Sequence, residues 1–359
     1  MAGIDLAALR ARVDAAVADQ LRRGAADLAD LSPEADDLLA PIGALLSGGK
    51  RFRPVMLYVG YRAAGRPDAA GVIRLAATME FLHAAALIHD DVIDSSDTRR
   101  GMPTVHCALR ERHRERGWDG DPQGFGVAAA ILAGNLCLGW ADQAYDECGL
   151  PQSELARGRA TLDRMRTQLM AGQYLDVVGA VRPWSTMSAL DRIAAAERVI
   201  TFKSAKYSIQ HPLLLGARVG GVSAAADAAL TAYGLELGIA FQLRDDLLGV
   251  FGDPQVTGKP AGDDLREGKR TVLIAHTLAA LSAADRTWLE SRLGDPDLDG
   301  VAIERLRGLI ARSGAVAAVE REIARRGHVA ADAISSAHLE PIARETLRDF
   351  IATATARDA

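Results

Sequence analysis

The sequence predicts an all-α protein, and three observations carry that prediction. Alanine and leucine abound while aromatic residues make up only 5%, a composition that favours helix over strand. Apolar residues recur at intervals of three and four, beginning with Leu6, Leu9, Val13, Val17 and Leu21, which marks one face of a helix. Glycine and proline fall together at a few places, such as 48–54 and 65–67, and punctuate otherwise long helical stretches. At 359 residues with 49% apolar content, two domains or one large one are both allowed. The chain is expected to form a single domain over 1–359, with residues 1–40 as a helical leader.

After the amphipathic first helix, Ser32 and Pro33 read as cap and first position of the next. Residues 48–54, GGKRFRP, place two glycines and then Lys50, Arg51 and Arg53 ahead of a proline that opens a helix. Glycine lets backbone N–H groups approach an anion, and the helix start adds a favourable dipole, so the segment reads as a diphosphate cradle. Arg51 is expected to face elsewhere. A long helix follows from Asp68 to about Asp94, with His83 two turns before Asp90 on nearly the same face.

That helix ends HDDVID, which puts Asp90 and Asp94 four apart on one face with Asp91 alongside. Three such carboxylates repel one another. A hard cation such as Mg2+, completed by water and phosphate oxygens, offsets the repulsion. Arg99 and Arg100 come next, and their planar, permanent charge suits phosphate. Acid followed by base implies a diphosphate bridged by metal.

Gly101, Pro103 and Thr104 mark a loop, residues 117–126 (GWDGDPQGFG) mark another, and helix resumes at Val127. Residues 164–178 carry Gln168, Gln173 and Asp176, and FKSAKYS at 202–208 carries Lys203, Ser204 and Lys206. A second acidic helix end, FQLRDDLLGVFGD at 241–253, places Asp245, Gly249 and Asp253 at i, i+4 and i+8. Gly249 cannot ligate, so metal binding there rests on Asp245, with Asp246 as its neighbour. Residues 252–271, rich in glycine and proline, bear Lys259 and Lys269, the composition of a lid over a charged substrate. From Thr271 onward, helices broken at Asp295 to Gly300 and at Ser313-Gly314 read as structural.

A net charge of −5 without a basic stripe argues against nucleic acid as a partner. Cys107, Cys137 and Cys148 show neither paired spacing nor an even count, which disfavours a disulfide framework or a thiolate zinc site and points to a reducing, cytoplasmic setting. The N-terminus lacks a basic region followed by an apolar run. The most apolar run, 127–141, is too short to span a bilayer, so no transmembrane segment is expected.

The two aspartate-rich motifs, GGKRFRP and the RRG at 99–101 resemble, in order and spacing, the trans-polyprenyl diphosphate synthase family over roughly residues 40–350. The resemblance implies an isoprenoid synthase fold, one large helical bundle around a central cavity, and a homodimer. It implies several Mg2+ ions, with Mn2+ as an alternative, held by Asp90, Asp91, Asp94, Asp245 and Asp246 and bridged by substrate diphosphate. Lys50, Arg53, His83 and Arg100 would hold isopentenyl diphosphate. Arg99, Lys203, Lys259 and Lys269 would face the allylic diphosphate, with Ser204 and Gln242 also on substrate and Asp264 ordering its loop. GQYLD at 172–176 matches the family's GQxxD, whose polar residues face the cavity. Departures are Gly249, Ser204 in place of the frequent threonine, and Asn135 where many members carry aspartate.

The implied reaction is ionisation of an allylic diphosphate and attack on the cation by isopentenyl diphosphate, with Asp90, Asp94, Lys203 and Asp245 as the catalytic set. Product length follows from the helix bearing Asp90, since one turn is about one isoprene unit long. Ala85 and Ala86, five and four residues before Asp90, are small, so the tail continues past the fifteen-carbon level. Phe81 and Leu82, one turn deeper, are expected to form a floor, which gives a geranylgeranyl product. Alternatives are a farnesyl or longer-chain synthase, a class I terpene cyclase, and a non-catalytic partner subunit.

Overall fold

The structure, a computed structural model, describes residues 3–252 and 262–356. Among the described residues it is predominantly helical, and the only strands are Thr98–Arg99 and Met102–Pro103. The Cα positions fall into two compact units, residues 1–158 with 215–222, and residues 159–214 with 223–359.

In the first unit the central element is α4 (Ala70–Ile93), against which α1 (Leu6–Ala29), α3 (Phe52–Ala63) and α6 (Pro122–Asp146) pack. It has no polar cap at Ala69; burial of Val72, Leu75, Met79, Phe81, Leu82 and Ile88 therefore stabilises it more than local propensity does. Ser32 accepts from the Glu34 amide at the start of a short 3-10 turn, Pro33–Leu38. The segment read as a loop at 101–104 is one side of a hairpin in which Thr98 pairs with Pro103 and Arg99 with Met102. Its turn residues Arg100 and Gly101 both take positive φ, 53° and 75°, as a tight two-residue hairpin turn demands.

Helix α6 starts five residues earlier than the sequence predicts, because Asp121 caps it through the Gln123 and Gly124 amides and Pro122 takes the first position. It is accordingly 25 residues long, not the fifteen of the apolar run. By length and composition α4 and α6 both suffice to cross a membrane, but 78% of the apolar window of α4 is buried in the chain's own core, against 44% for α6.

The second unit is built on α10 (Ala224–Phe251), which packs against the segment Ile200–Gln210 and the helices Ala315–Ser335 and Pro341–Thr355. Ser223 caps α10 through the Ala226 amide. Residues 200–210 form a π-helix, wider than an α-helix and concentrated in proteins at functional sites. Three glycines make room for it. A Cβ on Gly172 would lie 2.6 Å from the Lys203 amide nitrogen, one on Gly238 2.7 Å from Ala205 Cα, and one on Gly234 2.7 Å from Gln210 Cα. Leu243, Leu247, Leu273, Leu306, Ile310 and Val319 form part of the apolar core of this unit.

Candidate active site

The basic cradle and the first acidic motif lie in the first unit. Gly48, Gly49 and Arg51 take positive φ, which turns the chain sharply into α3. Arg51 is buried: its Nε donates to Asp14 Oδ1 at 2.6 Å, its Nη2 to the Leu46 carbonyl at 2.5 Å, and its Nη1 to Glu80. It ties three helices together, as expected of a residue facing away from substrate. Lys50 is exposed and Arg53 half-buried. Arg100 lies over the cradle, since a Cβ on Gly49 would be 3.5 Å from its Nη1. His83 sits within this group. Burial pushes its imidazole well below the ordinary value, and the charges of Arg53, Arg100, Arg99 and Arg51 push it further. A histidine set close to several arginine charges is a local environment that favours an anion.

At the end of α4, Asp94 closes the helix and Asp90 is partly open, its side chain 22% exposed. The unsatisfied carbonyls of a helix C-terminus add negative potential there, favouring a cation. Asp91 and Arg99 are arranged differently from expectation. Asp91 is 1% exposed, and Arg99 Nε donates to its Oδ1 at 2.8 Å and Oδ2 at 3.1 Å, with Nη2 on Oδ1 at 2.6 Å. Both carboxylate oxygens are engaged, so in this arrangement Asp91 is not a metal ligand and Arg99 is not turned to diphosphate. Instead the pair fixes the hairpin that carries Arg100.

The lining of the tail also needs correction. Nine residues separate Phe81 from Asp90, two and a half turns, so Phe81 projects from the opposite face of α4. There it meets Trp140 of α6 edge-on, with ring centroids 6.1 Å apart and planes at 82°. Phe81 is therefore not a floor beneath Asp90. Met79, eleven residues back, returns to the face of Asp90 and is fully buried, as is Leu82 beside it; Ala85 is buried and Ala86 half-buried.

In the second unit, Gly172 brings α7 (Gln152–Val181) onto the π-helix, and Lys203 Nζ meets Asp176 Oδ2 at 2.6 Å. Gln168 Oε1 meets His211 Nε2 at 2.9 Å. Ser204 Oγ donates to Gln242, whose Nε2 donates to Asp246 Oδ1 at 2.9 Å. A chain of hydrogen bonds thus links the π-helix to the second acidic motif. Gly249 has a role its chemistry did not announce, since a Cβ there would lie 1.9 Å from Asp264 Oδ2. Without a side chain at 249, Asp264 packs onto α10, where Lys269 Nζ holds it at 2.6 Å and reaches Glu267 at 2.7 Å. Lys206 lies over the Phe202 ring, 4.5 Å from its centroid. Lys259 and Asp253 lie outside the described residues.

The donor set fits a hard divalent cation. Burial, then the charges of Asp264 and Asp245, push Asp246 up to about 7, against opposing help from Gln242 and Lys269. Its Oδ2 is buried with no hydrogen-bond partner among the described residues. This is a carboxylate cluster short of positive charge, built from oxygen donors of the kind Mg2+ takes.

Comparison with known proteins agrees. The family profile described as polyprenyl synthetase matches residues 36–306. A geranylgeranyl pyrophosphate synthase of Corynebacterium glutamicum, solved with isoprenyl diphosphate and magnesium, is 38% identical and superposes with a TM-score of 0.91 over 99% of this chain and 100% of its own. A geranylfarnesyl diphosphate synthase of Aeropyrum pernix is 31% identical over 77% of this chain and 80% of its own. A farnesyl diphosphate synthase of Geobacillus stearothermophilus is 33% identical over 75% and 85%. With an isoprenoid synthase fold and a polyprenyl synthetase profile matched over residues 36–306, the chain belongs to the polyprenyl synthetase family and is a prenyltransferase.

Proposed function

We propose that the enzyme joins an allylic diphosphate to isopentenyl diphosphate head to tail and stops at the twenty-carbon, geranylgeranyl level. What supports the condensation reading is His83 set close to the charges of Arg53 and Arg100, an anion-favouring group on the same helix as the partly exposed Asp90 and the exposed Asp94. Lys50, Arg53, His83 and Arg100 bind and orient isopentenyl diphosphate. Asp90, Asp94, Asp245 and Asp246 would hold Mg2+, which when bound supplies Lewis-acid neutralisation of the departing pyrophosphate.

Lys203, drawn to Asp176, is poised to exchange that carboxylate for the allylic diphosphate, and Ser204 and Gln242 orient the acidic motif beside it. Lys269 and Asp264 support the same site from the following segment. Asp91 and Arg99 position the hairpin of Arg100. Fixed charges aimed at the leaving group stabilise it as it departs, and the apolar wall of α4 keeps water from the cation. Pyrophosphate itself is the base that takes the final proton. The small Ala85 and Ala86 above Met79 and Leu82 support the twenty-carbon product.

The exposed stripe Ala128, Ile131, Leu132, Asn135 and Gly139 on α6 supports a homodimer through this helix. Three buried free cysteines fit a cytoplasmic setting. The test is incubation with Mg2+, labelled isopentenyl diphosphate and each allylic primer, then hydrolysis and chromatography. A twenty-carbon alcohol is expected. Mainly fifteen-carbon product would refute the length argument, and release of a hydrocarbon from geranylgeranyl diphosphate alone would mark a cyclase.

A further inference from the structure

The spacing of the cysteines argues against a zinc site made of cysteine pairs, yet the fold brings one cysteine to a histidine and an aspartate. Asp97, His106 and Cys107 place one donor atom each within 4.8 Å of the others, the one such trio among the described residues. Cys107 Sγ lies 3.1 Å from Asp97 Oδ1 and 3.5 Å from His106 Nε2. Tetrahedral zinc with ligand bonds of about 2.0–2.3 Å spreads its donors roughly 3.3–3.6 Å apart, close to both of these distances.

The imidazole is already oriented. Thr104 Oγ1 meets His106 Nδ1 at 3.2 Å, leaving Nε2 for a metal, the outer-sphere partner that ligating histidines ordinarily have. His106 and Cys107 are buried at 4% and 5% exposure, whereas Asp97 is open to solvent, so a cation would enter from that side. Arg110 stands 3.8 Å from Asp97 Oδ1, a loose ion pair on a side chain 76% exposed to solvent.

We propose that Asp97, His106 and Cys107 bind a soft divalent cation of the zinc class, distinct from the Mg2+ of the acidic motifs, with water as fourth ligand. Thiolate and imidazole donors select such a metal over Mg2+. The S–H bond of Cys107 breaks as the sulfur–metal bond forms, and the proton passes to solvent. The three ligands flank the Thr98–Pro103 hairpin, whose ends are already joined by the Thr104 amide to the Asp97 carbonyl at 3.0 Å. Occupancy would clamp the strand-turn unit that presents Arg99 and Arg100.

The experiment is a Co2+ titration of the full chain in excess Mg2+, read as the near-ultraviolet sulfur-to-cobalt charge-transfer band. Oxygen-only binding at the acidic motifs gives no such band. The band should appear with wild type and with Cys137→Ser, vanish with Cys107→Ser, and require about tenfold more Co2+ with Thr104→Val. Absence of the band from wild type, or its survival in Cys107→Ser, would overturn the proposal. Should Cys107→Ser misfold, zinc-edge X-ray absorption of the wild-type protein decides: a sulfur neighbour supports the site, and a shell of oxygen and nitrogen alone refutes it.

Discussion

Removing the Met79 side chain should lengthen the product by one isoprene unit. Met79 lies eleven residues below Asp90, about 16.5 Å along the helix at 1.5 Å per residue. A metal ion held by Asp90, with bonds of about 2 Å on each side, would add at most roughly 4 Å between that carboxylate and the diphosphate. The tail would then have about 20 Å, close to four units at one 5.4 Å turn each. Met79→Ala opens about one further turn, so twenty-five-carbon alcohol should become a major product. The substitution empties a fully buried site and should cost about 2–5 kcal/mol, so products are read at low temperature after a denaturant melt confirms folding. Phe81→Leu is the control. It faces Trp140 rather than the tail, and should lower stability with no change in chain length. An unchanged product from Met79→Ala, or lengthening by Phe81→Leu, would refute the assignment of faces on α4.

Three further outcomes follow from single residues. Gly249→Ala drives a Cβ to 1.9 Å from Asp264 Oδ2; it should lose about 1–3 kcal/mol to overpacking and depress turnover, measured by thermal melts and steady-state kinetics. Asp246 is held up at about 7 in the folded state, against 3.8 ordinarily, so its stabilising protonated form is retained at low pH and lost as pH rises through about 7. Urea melts without metal should therefore show Asp246→Asn matching wild type near pH 4 and exceeding it by on the order of 2–4 kcal/mol at pH 8. Arg51→Ala strands the buried Glu80 and should cost about 3–5 kcal/mol in denaturant melts, far more than Lys50→Ala on the exposed side of the same loop.

What could be read from the sequence was set by local chemistry, and what could not depended on partners distant in the chain. GGKRFRP and the two acidic ends announce themselves, because glycine conformation, helix termini and charge spacing are properties of a few neighbouring residues. The start of α6 is written locally in Asp121-Pro122, a cap and first helical position, ahead of the apolar run that follows. The pairing of Arg99 with Asp91 was hidden, since both residues look equally suited to diphosphate and metal until the hairpin at Thr98–Pro103 turns one onto the other. The π-helix leaves no periodicity of its own, and only the glycines at 172, 234 and 238 betray its width. Gly249 looked like a defect in a metal motif until Asp264 was seen resting on it. Phe81 was misplaced by counting depth along α4 without counting rotation.

The proposed reaction depends most on Asp90, Asp94 and Asp245 holding metal against the allylic diphosphate. Anomalous scattering from crystals grown with Mn2+ and an inert allylic diphosphate analogue tests this directly. Peaks within bonding distance of Asp90 and Asp94, together with one at Asp245, all touching the analogue's phosphate oxygens, are the predicted result. An analogue bound without metal between it and these aspartates would contradict the account.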